Sequence, residues 1–206
     1  MRWTRRSAVV MVTALLVAGC GQAPRPPVER FYRLDVGTVA ASREAPASGV
    51  LEVQRFSADG VVGERNLVSA SGNGTTELVQ LDYHLWADPP TRMLQDLTVE
   101  VLRAAAVVEQ VTTPELRVSA DYLLAGKIQR LEQVRTEPPG VVARVELVLT
   151  RAVDGELLWV DTLEATRPVS DLAPSSAAIA LGEAVGEVLG RAIDPLASAL
   201  RTGARR

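Results

Sequence analysis

VARVELVLTRAVDGELLWVDTLEATR, residues 142–167, decides the fold. Apolar and polar side chains trade places along Val145-Glu146-Leu147-Val148-Leu149 and again along Trp159-Val160-Asp161-Thr162-Leu163. A repeat of two puts alternate side chains on opposite faces of an extended chain, so each half is a strand with one buried face. Asp154-Gly155 stands between them and supplies the positive φ that a two-residue hairpin needs. Upstream, residues 121–135 have the same character and reach residues 141–153 through Pro138-Pro139-Gly140. The expectation is a three-strand antiparallel meander, 121–135, 141–153 and 156–167, with one wet face.

Working toward the N-terminus, residues 107–112 read as another strand, ended by Thr113-Pro114. Before it, Met93, Leu94, Leu97, Val101, Ala104 and Ala105 share one side of a helix over 92–105. Arg92, Asp96, Glu100 and Arg103 take the other side. Asp88-Pro89-Pro90-Thr91 stops the preceding strand and starts this helix, with Asp88 or Thr91 as cap. Residues 66–70 and 76–86 face each other across Ser71-Gly72-Asn73-Gly74, a hairpin signal. Residues 50–56 and 31–36 are further strands, while 38–48 and the Gly-punctuated 57–63 read as loops.

Toward the C-terminus, residues 175–200 form a closing helix. Leu181, Val185, Leu189, Ala192, Leu196 and Leu200 fall in one stripe, with Glu183, Glu187, Arg191, Asp194 and Ser198 opposite. Pro195 is expected to bend this helix or detach its last turn. Gly182, Gly186 and Gly190 recur every four residues. Charges in the same stretch exclude a membrane seam, so the repeat marks close backbone packing, on the sheet or against another subunit. The fold class is therefore α+β: one domain, a mainly antiparallel sheet of hairpin plus meander, packed by two amphipathic helices.

The first nineteen residues are a leader. Arg2, Arg5 and Arg6 precede an apolar run over 8–18, about half the ~20 residues a membrane span needs, so the run is a signal core. It ends in Val17-Ala18-Gly19-Cys20, which resembles the lipobox of bacterial lipoproteins. A secretory leader with a chance cysteine is the alternative. Cys20 is the only cysteine and stands where the lipobox requires it, which favours lipidation. Its thiol would take a diacylglycerol and its freed amine a further acyl chain such as palmitate, and two or more chains hold stably to a bilayer. Gly21 rather than Asp at the next position points to the outer membrane by the lipoprotein sorting pattern. Residues 20–30 form a Pro-rich tether, extended at about 3.1 Å per residue. The folded domain is expected over 31–201, with a polar tail at 202–206.

Loss of the leader arginines makes the formal charge of -3 more acidic. That balance, without a basic aromatic stripe, argues against nucleic acid. His84 is the only histidine, in an alternating strand beside Tyr83 and Trp86, where a structural role outweighs a catalytic one. No Gly-x-Ser-x-Gly elbow, phosphate loop, Cys/His cluster or carboxylate pair of motif spacing is present. The expectation is a protein with no catalytic residues, no metal and no cofactor beyond the covalent lipid.

Three stretches carry a family resemblance: Phe31-Tyr32-Arg33-Leu34 soon after Cys20, residues 81–90 (LDYHLWADPP) running into Met93-Leu94, and residues 120–128 (ADYLLAGKI). In this order and spacing they resemble the ABC-type transport auxiliary lipoprotein family, which includes the lipoprotein of the paraquat-inducible system. At Val68-Ser69-Ala70 the chain departs from relatives that often continue with an aromatic and a basic residue. The resemblance implies a non-enzymatic subunit on the periplasmic face of the outer membrane that docks or receives the conduit of an MCE-type lipid transport system. A symmetric partner of that kind leaves room for a homo-oligomer. The other reading is an envelope-assembly lipoprotein, a chaperone-like partner of a β-barrel or lipopolysaccharide machine. Tyr83, Trp86, Pro89 and Pro90 either shape the strand-to-helix corner and fill the core or form an exposed aromatic lip for the partner.

Overall fold

The computed structural model describes residues 27–71 and 77–204. Cys20, the Asn73-Gly74 turn and the last two residues of the tail lie outside them. Among the described residues nine strands form one sheet: β1 (Arg30–Tyr32), β2 (Ala47–Val53), β3 (Ser57–Ala58), β4 (Asn66–Ala70), β5 (Leu78–Trp86), β6 (Val108–Thr112), β7 (Tyr122–Val134), β8 (Gly140–Arg151) and β9 (Leu157–Pro168). Helix α1 (Pro90–Ala105) and helix α2 (Pro174–Gly203) cover it. The class is α+β, as the patterns require.

The meander is the regular part. β7 pairs antiparallel with β8 from Tyr122↔Arg151 to Val134↔Gly140, and β8 with β9 from Gly140↔Pro168 to Thr150↔Leu157. Val141, Ala143, Val145, Leu147 and Leu149 of β8 all point into the core, the buried half of the alternation. The β8–β9 connection is longer than two residues. The Arg151 N–H bonds the Glu156 carbonyl, leaving residues 152–155 as the loop with Gly155 at φ 72.

The other edge of β7 is shared. β2, β3 and β4 lie along it in succession, all parallel to it, at Leu51↔Tyr122, Ser57↔Lys127 and Val68↔Glu132. β2 continues to β6, also parallel, and α1 lies between them in sequence, since a parallel pair needs a long crossover. β4 continues into the antiparallel hairpin with β5, and β1 adds parallel to the far end of β5. The sheet is thus mixed, with its antiparallel parts where the sequence places them and parallel joins between. The expected loop over 57–63 is instead β3 followed by a single 3₁₀ turn, Gly60–Gly63, that buries Val62. β1 is shorter than expected because the chain turns away after Tyr32.

α1 begins on Pro89 without the side-chain cap expected from Asp88 or Thr91. Pro90 has no N–H to satisfy, and the Pro89 carbonyl accepts the Arg92 and Met93 N–H groups. Its buried face also differs: Ala104 is exposed and Leu97 half-buried, while Gln95 and Thr98 are buried. Both are satisfied, Gln95 Nε2 donating to the Val53 carbonyl at 3.0 Å and Thr98 Oγ1 to the Leu94 carbonyl at 2.6 Å. In α2 the whole expected stripe from Leu181 to Leu200 is buried. The helix runs through the exposed Pro195 to Gly203, so its last turn is not detached.

The glycine repeat packs on neither surface that the sequence suggested. A Cβ at Gly182 would strike the Asp35 carbonyl oxygen, and one at Gly186 that of Val36. Residues 34–45 form a strap across the helix layer, with Leu34 buried and Val36 and Val39 packed on the core. The strap is pinned by the Ser42 N–H on the Ala105 carbonyl (3.0 Å) and the Arg43 N–H on Asp194 (3.3 Å), and Glu44 pairs with Arg201. Sheet, helices and strap make three layers.

Candidate docking site

The strand-to-helix corner holds the residues the sequence singled out. Tyr83 adopts φ 62 where the β4–β5 register shifts, and the residue is 47% exposed. Two residues on, the strand recovers. Trp86 is 1% exposed and Pro90 is buried, with Pro89 half-buried between solvent and core. Of the two readings of this corner, Trp86 takes the core-filling one and roots the hairpin, whereas Tyr83 is exposed. The Trp86 N–H donates to the Arg65 carbonyl at 2.6 Å, and its own carbonyl accepts Arg65 Nε and Nη2 at 3.2 and 3.1 Å. Arg65 also reaches the Ala87 carbonyl and lies 5.6 Å over the Phe31 ring. Such a charge-assisted knot fixes the corner.

His84 is part of the same packing. Its Nδ1 and the Tyr32 hydroxyl are 2.9 Å apart, and the rings stack at 5.9 Å between centroids. One ring nitrogen is thus engaged in joining β1 to β5, the structural role its setting suggests. Among the described residues there is no group of three or more His, Cys, Asp or Glu that could hold a metal, and no helix long and apolar enough to cross a membrane.

A second surface was not singled out from the sequence. Among the described residues β9 pairs only with β8, so no described strand lies on its outer edge. A register shift between Leu149 and Thr150 leaves Leu158 as an extra residue on β9. The bulge lets Leu158 and Trp159 both lean toward α2, while Leu157 (56% exposed) and Val160 (50%) stand in solvent. Beside them an open groove of about 390 Å³ runs between β9 and the end of α2, lined by Leu157, Leu158, Trp159, Pro195, Ser198 and Ala199. The signal was present: four apolar residues in a row, 157–160, exceed what one face of a half-buried strand can hide.

Charges frame this groove. Arg151 binds Asp154 at 2.9 Å, pairs with Glu156, and lies 3.4 Å from the Gly203 carbonyl. The Glu156 N–H, then Arg151, hold the Asp154 carboxyl below its usual range, and Asp154 in turn raises Arg151. Farther along the open face, a hydrogen bond from Lys127 to Asp59 (2.8 Å) raises the lysine. Burial raises Tyr122, at the base of β7 beneath the end of α2.

A family model for the ABC-type transport auxiliary lipoprotein component matches residues 32–192, from β1 into α2. The chain belongs to that family. The auxiliary lipoprotein domain therefore contains the corner, the strap and β9, and Cys20 lies twelve residues upstream of its start. Among solved structures, protein XCC0632 from Xanthomonas campestris superposes with a TM-score of 0.77 at 20% identity, over 86% of this chain and 99% of that one. An uncharacterized protein gives 0.62 at 13% identity, over 81% and 97%. A PelC dodecamer from Paraburkholderia phytofirmans gives 0.47 at 14% identity, over 77% and 94%. The first two likenesses concern the fold. No curated protein matches the chain.

Proposed function

We propose that this auxiliary lipoprotein is a non-enzymatic subunit of an MCE-type lipid transport system, held by lipid on Cys20 to the periplasmic face of the outer membrane. There it docks the MCE-domain conduit that an ABC transporter serves. The observation that carries this reading is the family match across nearly the whole folded domain, directly downstream of the lipobox. Catalysis plays no part in it: the only histidine is spent on packing.

The docking surface in this reading is the free edge of β9 with its groove. An unpaired edge of twelve residues offers a row of backbone donors and acceptors. Exposed Leu157 and Val160 add apolar anchors, and adding a partner strand to such an edge is a recurring recognition mode. Tyr83 at the corner is left for another role.

A photo-crosslinker at position 160 of the full chain in cells is expected to capture an MCE-domain protein. Capture confined to barrel-assembly or lipopolysaccharide-export proteins would replace this reading with the envelope-assembly one. Radiolabelled palmitate is expected to enter the chain and to be lost in Cys20→Ser; label persisting in that variant refutes the anchor.

A further inference from the structure

The β9 edge is not equally open along its length. In an antiparallel pair, successive residues turn their backbone N–H and C=O alternately toward the partner strand and away from it. The Val169 N–H bonds the Pro139 carbonyl at 3.0 Å, which sets the phase at one end. Back through the unbroken β8–β9 register, Thr166, Glu164, Thr162 and Val160 therefore turn theirs outward. At the other end, the bond from Arg151 to the Glu156 carbonyl does the same for Leu157.

From Thr162 onward each outward residue lacks one of its two groups. The Thr162 N–H donates to the Asp161 carboxylate at 2.8 Å. The Glu164 carbonyl accepts Arg191 Nη1 from α2 at 2.9 Å, and the Thr166 carbonyl accepts Arg167 Nη1 at 3.3 Å. Pro168 has no N–H. Among the described residues no side chain takes either group of Leu157 or Val160. An added strand bonds through both groups of each outward residue, so it can pair at Leu157 and Val160 and stalls at Thr162.

The side chains change character at the same place. On the open face, the register aligns Ala125, Val148 and Val160 in one row and Leu123, Thr150 and Leu157 in another, all uncharged. The next rows set Lys127 and Glu146 beside Thr162, then Arg130 and Arg144 beside Glu164. On the helix face, the groove of Leu158, Trp159, Pro195 and Ala199 borders the uncapped end.

Resting on the docking reading above, we infer that β9 takes a short extended apolar peptide of the MCE partner, paired only at Leu157 and Val160. Asp161, Arg191 and Arg167 are caps that keep the rest of the edge shut. Alternate side chains of the peptide enter the groove and cover the Val160 row. The groove's own carboxylate, Glu156, is already paired with Arg151, so apolar side chains suit both faces. A second copy is disfavoured: pairing through the same residues would set Glu156 against the copy's Asp161, like charge opposite like charge.

A photo-crosslinker is placed in turn at 157, 160, 164 and 166 of the full chain in cells, and capture of the MCE protein is measured. Expected is capture at 157 and 160, near background at 164 and 166, and a rise at 164 when Asp161→Ala and Arg191→Ala remove the caps. Proline tests the backbone, since Val160→Pro deletes an outward N–H and leaves the β8 ladder intact. With the purified MCE protein as probe, Val160→Pro should weaken binding roughly tenfold and Thr166→Pro less than about twofold, both with wild-type circular dichroism. Should Val160→Pro fail to fold, the crosslinking profile alone decides. Even capture from 157 to 166, an unchanged signal at 164 without the caps, or equal losses from the two prolines overturns this inference and leaves docking at β9 standing. A second copy captured in place of the MCE protein, or nothing captured along β9, overturns both.

Discussion

The meander and the hairpin wing belong to one sheet but are held by opposite means. β7, β8 and β9 keep register over nearly their full length, and α2 seals one face with side chains that see no solvent. The wing of β1, β4 and β5 is fastened at its root by one tryptophan, one arginine and a Tyr–His contact, and along β4 by a short parallel pairing with β7, while among the described residues no strand covers the outer edge of β5 before His84. The first region is held by long paired strands under a helix, the second by a short pairing and a few side chains at one corner.

Four substitutions test the contrast, in order of falling effect. If the wing hangs on its root, Trp86→Ala leaves a large cavity and costs about 3–5 kcal/mol, read from urea unfolding. A loss below about 1 kcal/mol would mean that the β4–β7 pairing holds the wing without its corner. In the body, Gly186→Val drives a side chain into the Val36 carbonyl and should cost about 1–3 kcal/mol or more. A neutral result would show that the strap is free to lift.

Gly190→Ala probes the same repeat with the opposite sign. Its Cβ would lie 3.4 Å from a Val39 methyl, ordinary contact, so the helix gains up to about 1 kcal/mol from the better helix former. Destabilisation there would mean the strap is tighter than drawn. The smallest effect belongs to Asp154. Its folded pKa lies below the unfolded one, so its contribution is present above the unfolded value and lost as pH falls through the folded value. Melting temperature followed downward from about pH 5 should therefore drop more steeply in the wild type than in Asp154→Asn. Parallel curves would remove the Arg151–Asp154 pair from the account.

The body was legible in the sequence because period-two alternation and the helical stripe are local signals that burial then obeys. Strand neighbours were not. Nothing in residues 51–53, 57–58 or 68–70 states that all three lie along one edge of β7, because parallel pairing is settled by the crossover and not by the strand itself. The glycine repeat signals close packing, yet its partner, residues 35–39, carries only the pattern of a strand end and a loop. A backbone carbonyl pressed on a helix leaves no side-chain pattern to find. At the corner, Trp86 and Pro90 could be named but not sorted from Tyr83, since the left-handed turn at Tyr83 that throws its ring outward is invisible in residue type. The β9 groove was written in four consecutive apolar residues, which alternation alone does not explain.

The strap also dictates an order of events. It ties Arg43 to Asp194 across 151 residues of chain, and its seat on Gly182 and Gly186 exists only once the final helix has formed. A closure that long carries its full loop entropy before any contact rewards it. On the proposed anchored reading, a chain delivered N-terminus first has its lipid end in place long before the domain can latch, and completes itself already moored.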